Sequence, residues 1–140
     1  MLSAVNISDN KIEFSDYRLI SEHEFAEEHK RTRVEPGDVL LTIVGAIGRA
    51  AVVPEEFRPF TLQRSVAVFT PALISSKFLM YQLESPRMAL FFKNNARGTA
   101  QKGVYLGTLG KTEIWFPGLS ERYRNVIFVA SVGLQAEITP

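Results

Sequence analysis

Glu35-Pro36-Gly37-Asp38-Val39-Leu40-Leu41-Thr42-Ile43-Val44-Gly45-Ala46-Ile47-Gly48-Arg49-Ala50-Ala51-Val52-Val53-Pro54 decides how this chain is read. Two apolar, β-branched runs, Val39 to Val44 and Ala50 to Val53, flank a Gly45-Ala46-Ile47-Gly48 link. Strand composition on either side of a short glycine-containing link predicts a hairpin. Pro36-Gly37 supplies the turn into the first strand, since Pro presets φ and Gly accepts the positive φ that follows. The first run is apolar almost throughout, which predicts a strand buried on both faces. Arg49 is the only charge between Asp38 and Glu55. Beside a glycine at the hairpin tip, it is placed to reach outward.

On the N-terminal side, residues 1–20 read as short strands and turns. Ser8-Asp9-Asn10 is a turn cluster, and Lys11-Ile12-Glu13-Phe14 alternates polar with apolar. Ser21 is the expected N-cap of a helix over residues 22–29, with Glu24 placed to complete a capping box. His23 and Glu27 share a face of that helix. No third ligand is fixed by the spacing, and a solvated acidic helix is the commoner meaning of such a pattern, so no metal is assigned. Lys30-Arg31-Thr32-Arg33 either contacts phosphates or balances the preceding glutamates.

Beyond the hairpin, residues 61–70 (TLQRSVAVFT) read as a strand with Gln63 and Arg64 at its mouth. Ser75 caps a helix over residues 76–84, whose apolar side is Phe78, Leu79, Gln82 and Leu83. Ser85-Pro86 starts another, because Pro is pre-organised for the first helical position. Met88, Leu90, Phe91 and Phe92 predict that this helix is largely buried. Arg97-Gly98-Thr99-Ala100-Gln101-Lys102-Gly103 is a loop with two cations, polar side chains and two glycines. Residues 111–116 alternate as a strand. From Leu119 to Ile138 the apolar residues fall at helical spacing, a helix of about 20 residues and roughly 30 Å. Its stripe includes Tyr123, Val126, Ile127, Ala130 and Leu134, the residues expected to pack against a partner helix. The division expected is residues 1–117 as an α/β domain and 118–140 as the start of the helix.

Composition bounds the function. The chain has 140 residues, 46% hydrophobic and without cysteine. That is enough for one core, it excludes disulfides and thiolate metal sites, and it fits a cytoplasmic protein. There is no apolar run of membrane-spanning length and no recognisable secretory signal. The net charge of +1 conceals −5 over residues 1–29, +7 over 30–112 and −1 over 113–140. A basic middle between acidic ends points to a polyanion.

Catalytic motifs fail in turn. Gly-x-Ser-x-Gly is absent, and both histidines sit in the acidic helix. Gly98 to Gly103 lacks the Gly-Lys-Ser/Thr order of a phosphate loop. Arg49, Gln63, Arg64, Arg97, Thr99, Gln101 and Lys102 remain, all at strand ends or in one glycine-bearing loop. Arg and Lys neutralise phosphates, while Gln and Arg read base edges. These residues are the candidate DNA contacts. No cofactor is called for.

Five segments occur in order: 36–41 (PGDVLL), 45–49 (GAIGR), 63–67 (QRSVA), 98–103 (GTAQKG) and 116–121 (FPGLSE). Together they resemble the target-recognition domain of the DNA-specificity subunit of type I restriction-modification enzymes, over nearly the whole chain. Gly118 stands where the family often has a second Pro, and Arg122 where it has Gln. The resemblance implies a mixed α/β (α+β) fold, with a curved mixed sheet and small helices before a long helix. It implies that two such domains read the halves of a split double-stranded DNA target. Their long helices would form an antiparallel coiled spacer that docks methyltransferase subunits, which bind S-adenosylmethionine. A motor-nuclease subunit cleaves, and the specificity subunit catalyses nothing. With one domain in this chain, self-association through the terminal helix is one way to rebuild a two-domain reader. The alternative is an assembly module that docks a methyltransferase without binding DNA tightly; an enzyme is a third reading.

Overall fold

A computed structural model describes residues 1–72 and 74–114. The elements are β1 (Ile7–Ser8), β2 (Lys11–Ile12), α1 (Glu22–Arg31), β3 (Val39–Thr42), β4 (Ala50–Val52), β5 (Val66–Phe69), α2 (Ser76–Leu83), α3 (Pro86–Asn95) and α4 (Leu106–Leu109), with a 3-10 turn at Ala4–Asn6. This is a mixed α/β arrangement of small sheets and helices. The strands pair antiparallel, β1 with β2 and, in a second sheet, in the order β4-β3-β5. The parallel contact among the described residues is the isolated bridge Leu2–Leu62.

The expected hairpin is present, with Leu40 opposite Ala51 and Leu41 opposite Ala50. Strand β3 lies in the centre and is buried on both faces. Val39 and Leu41 face Leu79, Leu83, Met88 and Phe92 of α2 and α3. Leu40 faces Leu2, Ile7, Val34, Phe60 and Leu62. Strand alternation puts Ala67 and Phe69 of β5 on the helix side and Val66 and Val68 on the other. The near-continuous apolar run follows from this double burial: no position on β3 meets water.

The turn into β3 is held by Asp38, which is 2% exposed. Its carboxylate accepts from Glu35 N–H and Thr70 Oγ1, both at 2.8 Å. Burial nevertheless outweighs those bonds and raises its pKa above the usual aspartate value.

Helix starts follow the capping residues. Ser21, Ser75 and Ser85 each accept from the backbone N–H three residues on. The expected capping box at α1 is only half made, because Glu24 turns to Arg18 at 3.1 Å instead. No residue of α1 is buried, which suits a solvated acidic helix. His29 stacks on Phe25 with ring centroids 5.3 Å apart.

Several expectations are corrected. Residues 61–65 are not strand: Val66 N–H donates to Gln63 C=O at 3.1 Å, so a turn precedes β5. In α2, Leu79, Met80 and Leu83 are the buried residues, and in α3 Met88 and Phe92. Leu90 is 58% exposed, since a residue two on from Met88 points to the opposite side of a helix. Residues 111–114 form no strand. Lys111 and Thr112 N–H groups instead donate to Thr108 and Leu109 C=O, unwinding a short helix α4 that the sequence reading lacked. The terminal helix, with Tyr123, Val126, Ile127, Ala130 and Leu134, lies outside the described residues, as do Trp115 and Phe116. Among the described residues no helix is long and apolar enough to cross a membrane.

Candidate nucleic-acid interface

The candidate interface is built where β3 ends. Its ladder to β4 stops at Thr42, and the link is wider than the four residues expected. Thr42 is fully buried; its hydroxyl donates to Ala46 C=O and accepts from Arg49 N–H at 2.9 Å. Gly48 N–H donates to Thr42 C=O at 2.9 Å. Ile43 and Val44 change partners instead of continuing the hairpin. Ile43 N–H donates to Ser65 C=O at 2.9 Å, and Ile43 C=O accepts from Val104 N–H at 2.8 Å. Val44 bridges Gly103.

This change of partner docks loop 97–103 onto the hairpin tip. Arg97 and Gly103 exchange both backbone hydrogen bonds at 2.8 Å, closing a loop over residues 98–102. Gly45 N–H donates to Lys102 C=O at 3.0 Å. Gly98 is required by geometry: its φ is +117°, and a Cβ there would stand 2.4 Å from Gln101 C=O. It does not cap α3, whose C-cap is Ala96.

Because β4 and β5 both run antiparallel to β3, Arg49 before β4 and Arg64 before β5 come to the same end of the sheet as this loop. Within that end the candidates divide. Gln63, Arg64, Arg97 and Gln101 line one cleft of about 620 Å³. Its floor is apolar, with buried Ile43, Leu62, Val66 and Val104. No Asp or Glu of the described residues lines it. Lys102 lines a neighbouring hollow with Gly45, Glu84 and Lys93. Arg49 lines a separate cleft with Asp9, Asn10 and Glu84. Thr99 is exposed on the loop and lines none of these.

Carboxylates sort the basic residues further. Lys30, Arg31 and Arg33 pair with Glu27, Glu28 and Glu35 at 2.7, 3.0 and 3.0 Å. The basic run at the end of α1 therefore balances glutamates. Arg49, Arg64, Arg97 and Lys102 have no carboxylate within 4.0 Å among the described residues. Arg97 Nη1 makes only long bonds, 3.4 and 3.5 Å, to Asn94 and Ala96 C=O. All seven candidates are exposed.

Two cleft residues escaped sequence reasoning. Arg31 reaches the cleft from the end of α1, and Tyr105 stands on its wall, 68% exposed. In the sequence Arg31 stands out only as part of its basic run. Tyr105 gave no signal, because the helix it precedes was itself not expected.

The arrangement is that of a small α/β domain presenting cationic and amide side chains from loops at one end of its sheet. A family model, the type I restriction modification DNA specificity domain, matches residues 4–139, and the chain belongs to that family. It is 30% identical over 128 residues to the specificity subunit of the type I restriction enzyme EcoBI of Escherichia coli. That alignment takes in 90% of this chain and 27% of the relative, so the chain spans about a quarter of that subunit's length.

Proposed function

We propose that the chain reads double-stranded DNA as part of the specificity subunit of a type I restriction-modification system, itself catalysing nothing. The observation that carries this is the cleft shared by Gln63, Arg64, Arg97 and Gln101, with no lining carboxylate among the described residues. Guanidinium groups there neutralise phosphates, and side-chain amides offer a donor and an acceptor to a base edge. Arg49, Thr99 and Lys102 extend the contact on either side. The relative's name, a specificity subunit, supports the same reading.

In this reading residues 1–117 recognise DNA and residues 118–140 begin the spacer helix. Tyr123, Val126, Ile127, Ala130 and Leu134 pack against a partner helix, either of a methyltransferase subunit or of a second copy of this chain. A motor-nuclease subunit acts downstream of the recognition. Fluorescence anisotropy with random duplex DNA at low salt tests the reading. Salt-dependent binding supports it. Absence of binding, together with capture of a methyltransferase subunit through residues 118–140, replaces it with an assembly role.

A further inference from the structure

We propose that Gly45 is a positioning residue that seats the Gln101 side chain across the hairpin tip. Its importance for DNA rests on the duplex-reading function above. A Cβ placed on Gly45 would stand 3.0 Å from Gln101 Nε2 and 4.0 Å from Gln101 Cδ. The amide therefore lies against the bare α-carbon, and a side chain there obliges it to give way by a few tenths of an ångström. The same residue anchors the loop by its main chain, through the N–H bond to Lys102 C=O at 3.0 Å. Gly45 thus holds two consecutive loop residues, one by a hydrogen bond and one by leaving space.

This seat matters because of what Gln101 lacks. Gln101 is exposed and its side chain makes no hydrogen bond within the described residues, so its donor and acceptor are unspent. A glutamine reads a base edge only when both amide atoms are aimed together. Aim comes from packing that restricts the side chain's rotamers before the ligand arrives. At Gln101, Gly45 supplies one such surface. No atom of Arg64 or Arg97 lies within 4 Å of a Cβ at Gly45, so filling that space changes sequence preference and leaves their phosphate neutralisation in place.

The test is a double-mutant cycle of Gly45→Ala, Gln101→Ala and both together, with Gly110→Ala as control. Gly110 has φ −61° and room for a Cβ, its nearest atom being Leu106 C=O at 3.7 Å. The probe is the duplex most enriched by the wild type from a random-sequence pool. Each single variant is expected to lose about tenfold in affinity, and the double variant about tenfold rather than a hundredfold, with one common salt slope. Strain from alanine at positive φ acts in both backgrounds and does not produce that coupling. A second readout needs no DNA. The Gln101 side-chain amide resonances, identified by their loss in Gln101→Ala, shift in Gly45→Ala and stay in Gly110→Ala. Losses that multiply, or resonances that Gly45→Ala leaves unmoved, overturn the proposal. A wild type without duplex affinity overturns the DNA reading, and the resonances then decide whether Gly45 seats Gln101.

Discussion

Truncating Arg97 and Lys102 together isolates the electrostatic part of the proposed DNA recognition. Both side chains are exposed, and neither meets a carboxylate within 4.0 Å among the described residues. The loop's closing bonds, Arg97 to Gly103 and Gly45 to Lys102, run through the main chain and survive the change. Stability should therefore stay within about 0.5 kcal/mol of wild type, as for surface sites without special contacts. Binding should respond differently. Each cation that neutralises a phosphate contributes about 0.9 to the slope of log affinity against log salt. Removing two should flatten the slope by about 1.8. Over a fourfold rise in salt, from about 50 to 200 mM, the wild type then loses about 12-fold more affinity than the variant. Anisotropy titrations with a random duplex at five or six salt concentrations measure the slope, and urea melts check the fold. A variant with wild-type stability and an unchanged slope removes this pair from the interface.

Three other outcomes follow from the packing and from the shifted carboxyl of Asp38. Gly98→Ala forces a side chain into φ +117° and against Gln101 C=O, and should cost about 1–3 kcal/mol from conformation alone, read by urea denaturation; wild-type stability would contradict the loop geometry. Leu40→Ala empties a fully buried site on the non-helical face of β3 and should cost about 2–5 kcal/mol in the same assay. Asp38→Asn concerns charge: burial raises the folded carboxyl's pKa, so the folded state holds that proton more tightly and the site gains stability as pH falls from neutral toward 3.8. The variant should equal or exceed wild-type stability at pH 7 and lose that margin at lower pH, whereas a deficit at pH 7 that persists unchanged in acid would show that hydrogen bonding, not burial, governs the site.

The elements legible in advance were those whose cause is local. The three serine caps, the Pro86 helix start and the β3–β4 hairpin announce themselves within a few residues. Double burial of β3 was also visible, since six apolar or β-branched residues in a row leave no solvent face. The changes of partner at Ile43 and Val44 were not visible. They depend on Val104 and Gly103, some sixty positions away, and sequence spacing carries no trace of that pairing. Helix α4 was hidden for a related reason: Gly107 and Gly110 disfavour helix locally, and burial of Leu109 in the helix-side core compensates. Among the candidate contacts, loop position was readable but grouping was not. Gln63, Arg64, Arg97 and Gln101 share a cleft only because two strands antiparallel to β3 return their ends to one place. Arg49 arrives at the same end but lines a cleft with Asp9 and Glu84, a grouping that no spacing along the chain foreshadows.

The loop that carries Thr99, Gln101 and Lys102 is fastened at both ends by its own peptide groups and by two bare α-carbons. Its lettering is thus independent of its frame. In the proposed reading, residues 99, 100 and 102, all exposed, are then open to exchange, and a new target preference lies a few codon changes away while Gly45, Gly98 and Thr42 stay put.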